Sequence, residues 1–328
     1  MTRRAGSVAP RLMLVSGGSH PELAERVAAR LGTSITPQTA HTFANGEVFV
    51  RFARSVRGSD VFVVQTPTEP VNSWLMQSLI MVDALKRASA KRITVVWPFF
   101  PYSRQDKKHR GREPISARLV TDLLSTAGAD RVMTVDLHTA QIQGFFDGPV
   151  DHLRAQPLLA EHIRSAHPGA DITVVAPDSG RVRLAERWAD LLGGRPIAFV
   201  QHRESLQHGR STEIVGDVLG RHCVVVDDMI DTGATMAGAA RLLRELGAAQ
   251  VIATATHGIL SPDSRSRLAS GDIAEVVVTD TLPAPPDKRF PRLTVLSVAP
   301  LLADAIHEVF EAGSVTKLFD DPGRGEHE

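Results

Sequence analysis

Short runs rich in Val, Ile and Leu alternate along this chain with longer segments whose apolar residues recur every three or four positions. The short runs read as buried strands and the longer segments as amphipathic helices. Strands are expected at 12–15, 48–52, 61–64, 93–96, 132–135, 172–175, 197–200, 224–226, 251–255, 276–278 and 293–296. Helices are expected at 21–31, 73–88, 115–126, 156–166, 181–192, 236–246 and 300–311. The clearest is 73–88, where Leu75, Leu79, Val82 and Leu85 fall on one stripe. Alternation of this kind argues for the α/β class with largely parallel sheets flanked by helices.

At 328 residues, two doubly wound units fit better than one very large sheet. Gly148-Pro149 interrupts the pattern and puts the boundary near 147–154. The expected domains are therefore 1–150 and 151–319, with a frayed polar tail at 320–328. The pattern leaves open whether the helix at 300–311 folds back onto the first unit.

Composition narrows the class. Hydrophobic residues make up 43% and charged residues 23%, as in a globular protein. The formal net charge is zero, so no global field attracts nucleic acid. The single cysteine, Cys223, sits in an apolar run and reads as core. It fits a reducing compartment. The first ten residues lack the apolar stretch of a signal peptide, and no apolar run is long enough to span a bilayer, so a cytoplasmic protein without membrane partners is expected.

The most informative stretch is Val224-Val225-Val226-Asp227-Asp228-Met229-Ile230-Asp231-Thr232-Gly233-Ala234-Thr235. An apolar strand delivers two acids, then a Thr-Gly-Ala-Thr turn onto a helix start. Exposed N–H groups and the positive helix end favour a phosphate there. The acids would repel phosphate and suit sugar hydroxyls or a metal instead. A second polar segment follows the strand at 93–96: aromatics and prolines give way to Arg104, Gln105, Asp106 and a basic run, with five Lys or Arg residues between 104 and 112. It could close over a polyanion such as a nucleoside triphosphate. Asp136-Leu137-His138 and Ala176-Pro177-Asp178-Ser179-Gly180-Arg181 also end strands, where ligands sit in parallel sheets. Phe43-Ala44-Asn45-Gly46-Glu47 carries an Asn-Gly turn signal, for which a plain hairpin is the simplest account. No P-loop, dinucleotide fingerprint or zinc spacing is present.

Together these segments resemble the ribose-phosphate diphosphokinase (PRPP synthetase) family, over about 12–319. The resemblance implies two type I phosphoribosyltransferase-like domains, Mg2+ dependence, and transfer of a diphosphoryl group from ATP to the C1 hydroxyl of ribose 5-phosphate. It implies a homo-oligomer, commonly a hexamer, or a mixed assembly with a paralogue. It assigns Phe43, Asn45, Gly46 and Glu47 to the adenine across a subunit contact, and Arg104, Gln105 and Asp106 to ATP. It assigns His138 and Asp178 to the Mg2+–ATP site. It gives Asp227 and Asp228 to the ribose, and Asp231, Thr232, Gly233, Ala234 and Thr235 to the 5-phosphate.

The chain departs from that pattern in the catalytic loop after 197–200. The family Lys falls on Gln201 or His202, and its Arg on Arg203; this chain has no lysine between Lys108 and Lys288. Losing a fixed cation at a phosphoryl-transfer site costs orders of magnitude in rate. Ala234 replaces a glycine, which would be strained at positive φ. Arg181 stands where many members carry glycine, adding a cation near the metal–phosphate site. The leading reading is an active synthetase. A non-catalytic regulatory homologue is the alternative, and a nucleobase phosphoribosyltransferase a third, which would not need the basic loop.

Overall fold

The computed structural model describes residues 11–205 and 209–318, with the side chains at 202–211 outside that description. The chain divides into two compact units. One runs up to Leu153 and resumes at Ala299; the other spans Arg154–Val298.

The first unit is built from β1 (Leu12–Ser16), α1 (Pro21–Arg30), β2 (Gln38–Thr42), β3 (Val48–Phe52), β4 (Asp60–Val64), α2 (Val71–Arg87), β5 (Arg92–Trp97), α3 (Ser116–Ala127), β6 (Arg131–Val135) and β7 (Val150–Leu153). Its sheet is parallel throughout, in the order β1-β4-β5-β6-β7, while β2 and β3 form a separate antiparallel hairpin. The strands are apolar on both faces because helices cover both. Met13, Val15, Val61, Val63, Ile93 and Val95 pack with Leu75, Val82 and Leu85 of α2 and with Val120 and Leu124 of α3. Of the expected stripe on α2, Leu75, Val82 and Leu85 are buried and Leu79 is partly buried, with Met81 added to the buried face.

The second unit comprises α4 (Gln156–Ala166), β8 (Ile172–Ala176), α5 (Val182–Leu191), β9 (Ile197–Ser205), β10 (Gly209–Val215), β11 (His222–Ile230), α6 (Ala234–Glu245), β12 (Gln250–Gly258), α7 (Ser264–Leu268), β13 (Glu275–Thr279) and β14 (Leu293–Leu296). Seven strands run β10-β9-β8-β11-β12-β13-β14, parallel except for β10, which returns antiparallel on β9. Strand order reverses between β8 and β11. Such a switch point opens a crevice at the carboxyl ends of the two strands. In the first unit the named strands run in chain order, and Ile35 adds a parallel bridge to Leu14 of β1.

The last helix, α8 (Ala299–Phe310), corrects the expected domain limits: it belongs to the first unit and not to the second. It packs on α1, with Arg30 Nη2 3.5 Å from Asp304 Oδ1. Arg92 ties its carboxyl end to the sheet, donating to the Val309 carbonyl and to Asp60 Oδ2. The expected tail at 320–328 lies outside the described residues.

Candidate active site

Unit by unit, the polar residues singled out in the sequence lie where strands end. In the second unit β11 is longer than its apolar pattern suggests. It continues through Asp227 and Asp228 to Ile230, pairing Asp227 with Ala255 and Ile230 with Gly258 on β12. The two acids therefore belong to the strand, held rigidly, and the loop proper starts at Asp231. Asp228 is buried and Asp227 half-buried. Arg181 reaches both: Nε is 2.7 Å from Asp227 Oδ1 and Nη2 is 2.7 Å from Asp228 Oδ1. Burial and the hydrogen-bonded Asp228 carboxyl push the Asp227 carboxyl up to about 8, against the pull of the Arg181 charge.

The turn that follows is a formed anion cradle. Gly233 caps α6 at φ 73°, a left-handed conformation that glycine takes without strain. Ala234 is not among the positive-φ residues, so the strain expected at that substitution is absent. It is the first residue of α6, and its N–H points back toward Thr232 Oγ1 at 3.4 Å. Thr232, Ala234 and Thr235 are exposed at the helix start, whose first N–H groups lack intrahelical partners. Two residues that the sequence did not signal brace this turn from about thirty positions away. Ser261 bonds Asp231 through its hydroxyl and through its N–H, the latter at 3.1 Å. Arg267 Nη1 donates to the Thr232 carbonyl at 2.9 Å.

Asp178 leaves the end of β8 and caps the turn after it, Oδ1 accepting from Gly180 N–H at 2.8 Å. Gln201 is half-buried on β9, opposite Glu213 of β10. The loop expected after residue 200 is instead strand as far as Ser205, with His202 opposite Thr212 and Arg203 opposite Ser211. The side chains of His202 and Arg203 lie outside the described residues. Cys223 is buried with its thiol pushed up to about 11 by burial, as a core residue should be.

In the first unit the basic loop follows β5. Trp97 packs edge-on against Phe100, with ring centroids 5.7 Å apart, and anchors the loop root. Arg104 and Gln105 are exposed, whereas Asp106 is buried and accepts from Thr139 Oγ1 at 2.5 Å and Gln141 Nε2 at 2.6 Å. Glu113 holds the distal turn through Arg110 and His109 N–H at 2.9 and 2.7 Å, bonds that lower its own carboxyl below the usual range. Four of the five Lys and Arg side chains counted in the sequence, at 107, 108, 110 and 112, lie exposed with Arg104 on this ordered turn. His138 is half-buried at the end of β6. Phe43, Asn45, Gly46 and Glu47 form the exposed tip of the β2–β3 hairpin. Asn45 Oδ1 accepts from Glu47 N–H at 3.2 Å, and the Phe43 ring stacks edge-on to His41 at 4.7 Å. Among the described residues, no group of three or more His, Cys, Asp or Glu side chains could hold a metal ion alone.

Residues 12–128 match the family model for the N-terminal domain of ribose phosphate pyrophosphokinase, and residues 201–320 match the phosphoribosyl synthetase-associated domain. The ribose-phosphate pyrophosphokinase of Mycobacterium leprae is 63% identical, over 94% of this chain and 95% of that one. The chain belongs to the ribose-phosphate pyrophosphokinase family. A family member of the same name from Streptomyces avermitilis is 56% identical, over 95% of this chain and 97% of its own. The crystal structure of phosphoribosylpyrophosphate synthetase from Mycobacterium smegmatis superposes with a TM-score of 0.89 at 62% identity, covering 92% of this chain and 100% of that one. Such similarity across nearly the full length of named enzymes does not favour a non-catalytic regulatory homologue. Among the described residues no helix is long and apolar enough to cross a membrane.

Proposed function

We infer that this chain is a ribose-phosphate pyrophosphokinase, which moves the β,γ-diphosphoryl group of ATP to the C1 hydroxyl of ribose 5-phosphate. The carrying observation is the cradle at the start of α6, reached from two strand-borne acids, in a chain with full-length pyrophosphokinase relatives. The C1 oxygen forms a bond to the β-phosphorus. The bond from that phosphorus to the α,β-bridging oxygen breaks, and this oxygen leaves with AMP. The hydroxyl proton passes to solvent. Such a transfer asks the protein mainly for positioning and charge neutralisation.

The roles divide by chemistry. Thr232, Gly233, Ala234 and Thr235 hold the 5-phosphate with N–H and hydroxyl donors, and Asp231 braces them through Ser261. Asp227 and Asp228 accept the ribose hydroxyls. Phe43, Asn45, Gly46 and Glu47 offer an aromatic and polar tip to the adenine, at a contact between subunits of a homo-oligomer, hexameric as the family resemblance implies. Arg104 and Gln105 meet ATP, and Asp106 keeps their loop in place. Gln201, His202 and Arg203 occupy the catalytic segment of β9, where Arg203 supplies the cation.

Mg2+ fits the donors present. It binds through one or two carboxylates plus phosphates and water, so a dedicated cage is not required. Asp178 supplies such a carboxylate: Oδ1 accepts from Gly180 N–H, and Oδ2 is the second oxygen. His138, a nitrogen donor at the end of β6 in the first unit, suits a phosphate or metal contact there. When bound, the ion would neutralise charge on the transferred phosphates. A cytoplasmic location completes the reading. The test is the fate of label from γ-32P ATP: label in PRPP supports the transfer, and label only in free phosphate would refute it.

A further inference from the structure

Arg181 is a charged side chain beside the acid pair that the reaction above leaves without a task. It stands at the N-terminus of α5, three residues beyond Asp178, on the loop that leaves β8. Its guanidinium crosses to the neighbouring strand, β11, and places one nitrogen on each carboxylate of the acid pair, at 2.7 Å and 2.7 Å. β8 and β11 are the two strands between which strand order reverses, so this contact ties the loops on either side of the crevice.

The environment makes the contact consequential. The side chains of Asp227 and Asp228 are 14% and 7% exposed, and that of Arg181 is 21% exposed. Water does little to screen charges held so close together. Two adjacent carboxylates would repel each other, and would also repel the phosphate expected three residues further along at Asp231 and Thr232. A guanidinium fork is shaped to serve two oxygen acceptors at once, which an ammonium point charge is not. Its single positive charge offsets one negative charge of the pair, and the fork can fix the orientation of both carboxyl groups together.

We propose that Arg181 is a positioning residue for ribose 5-phosphate: it neutralises and aligns Asp227 and Asp228 so that they receive the sugar hydroxyls beside an anionic phosphate. The proposal rests on the ribose 5-phosphate reading of the β11–α6 loop. It differs from a plug, in which the arginine would occupy the acids and have to be expelled before the sugar could bind.

Calorimetric titration of ribose 5-phosphate into the full chain, its Arg181→Ala and Arg181→Lys variants, Asp227→Asn and the Arg181→Ala/Asp227→Asn double variant tests it. Arg181→Ala is expected to weaken binding by about 10-fold or more, with the KM for ATP within about 2-fold of the parent. Arg181→Lys, which keeps the charge but loses the fork, falls between. Because the arginine acts through the acids, its removal costs less once the Asp227 carboxyl it holds is replaced by an amide, giving a non-additive cycle. Unchanged or tighter binding in Arg181→Ala overturns the proposal, and so does an additive cycle. If Arg181→Ala does not fold, parent-like affinity in Arg181→Lys overturns it. A parent chain that fails to bind ribose 5-phosphate at all would instead refute the functional reading beneath it.

Discussion

Asp106 accepts a hydrogen bond from Thr139 Oγ1 at 2.5 Å, joining the basic loop after β5 to the segment after β6. The carboxylate is buried, and Gln141 Nε2 adds a second bond at 2.6 Å. An acid in this run cannot attract a triphosphate itself; it serves as the loop's inward anchor. Asp106→Ala removes the acceptor for the half-buried Thr139 hydroxyl and the exposed Gln141 amide, which costs about 0.5–1.5 kcal/mol per bond lost. It is expected to raise the KM for ATP by roughly tenfold through lost loop alignment. Steady-state kinetics should show this with ribose 5-phosphate affinity unchanged, and an unaltered KM for ATP would contradict it.

The phosphate turn tolerates no side chain at Gly233. Its φ of 73° is left-handed, and a methyl group there would come within 2.9 Å of Leu268 Cγ. Gly233→Ala therefore meets backbone strain of about 1–2 kcal/mol together with a steric clash. Calorimetry should find ribose 5-phosphate binding weakened at least tenfold, with a lower melting temperature. Parent-like affinity would mean that the cradle is not the phosphate site.

Away from the site, Glu275 is clamped on the second sheet. Burial by itself would raise its carboxyl, but bonds from Thr294 Oγ1, His162 Nε2 and His167 Nε2 outweigh burial and hold it below the usual carboxylate range. A depressed acid stabilises the fold above its unfolded value of about 4.3, and that contribution is lost as pH falls through the lowered folded value. Glu275→Gln should therefore lower the melting temperature at pH 7 by about 2–6 °C. The difference from the parent should shrink below about pH 4. A gap that stays constant down to pH 3 would contradict the linkage.

The missing lysine gives the clearest gain-of-function prediction. His202→Lys or Gln201→Lys restores a fixed cation to β9, where the family resemblance places one. At least one of the two should raise kcat by about tenfold or more, leaving ribose 5-phosphate affinity within about 2-fold. If neither variant raises kcat, charge at this segment does not limit the rate.

Much of this was legible in the chain. Strongly apolar strands such as 61–64 and 93–96 stand within a residue of their expected limits, because burial on both faces leaves a continuous Val and Ile signature. Hairpin strands β2 and β10 carry no such signature. β2 is almost wholly exposed, and its polar sequence Gln38–Thr42 has no face to bury. β11 runs beyond its apolar signature because Asp227 and Asp228 look like a loop in sequence; pairing with β12 and the Arg181 fork let a strand carry them. The placement of α8, which the pattern leaves open, has a related cause. Its apolar face states that the helix is buried but not against which sheet, and its contact with α1 joins residues 274 positions apart. The phosphate turn was legible as a local motif, whereas its braces Ser261 and Arg267 were not, since nothing local in their own segments marks them.

The central claim is that one chain joins ATP and ribose 5-phosphate by diphosphoryl transfer. Its most direct test is simultaneous quantitation of AMP and PRPP after mixing purified protein with Mg2+, ATP and ribose 5-phosphate. The account predicts the two products in equal amounts, rising together and absent when either substrate is omitted. Both ligands bound with neither product formed, or AMP accumulating without PRPP, would contradict it.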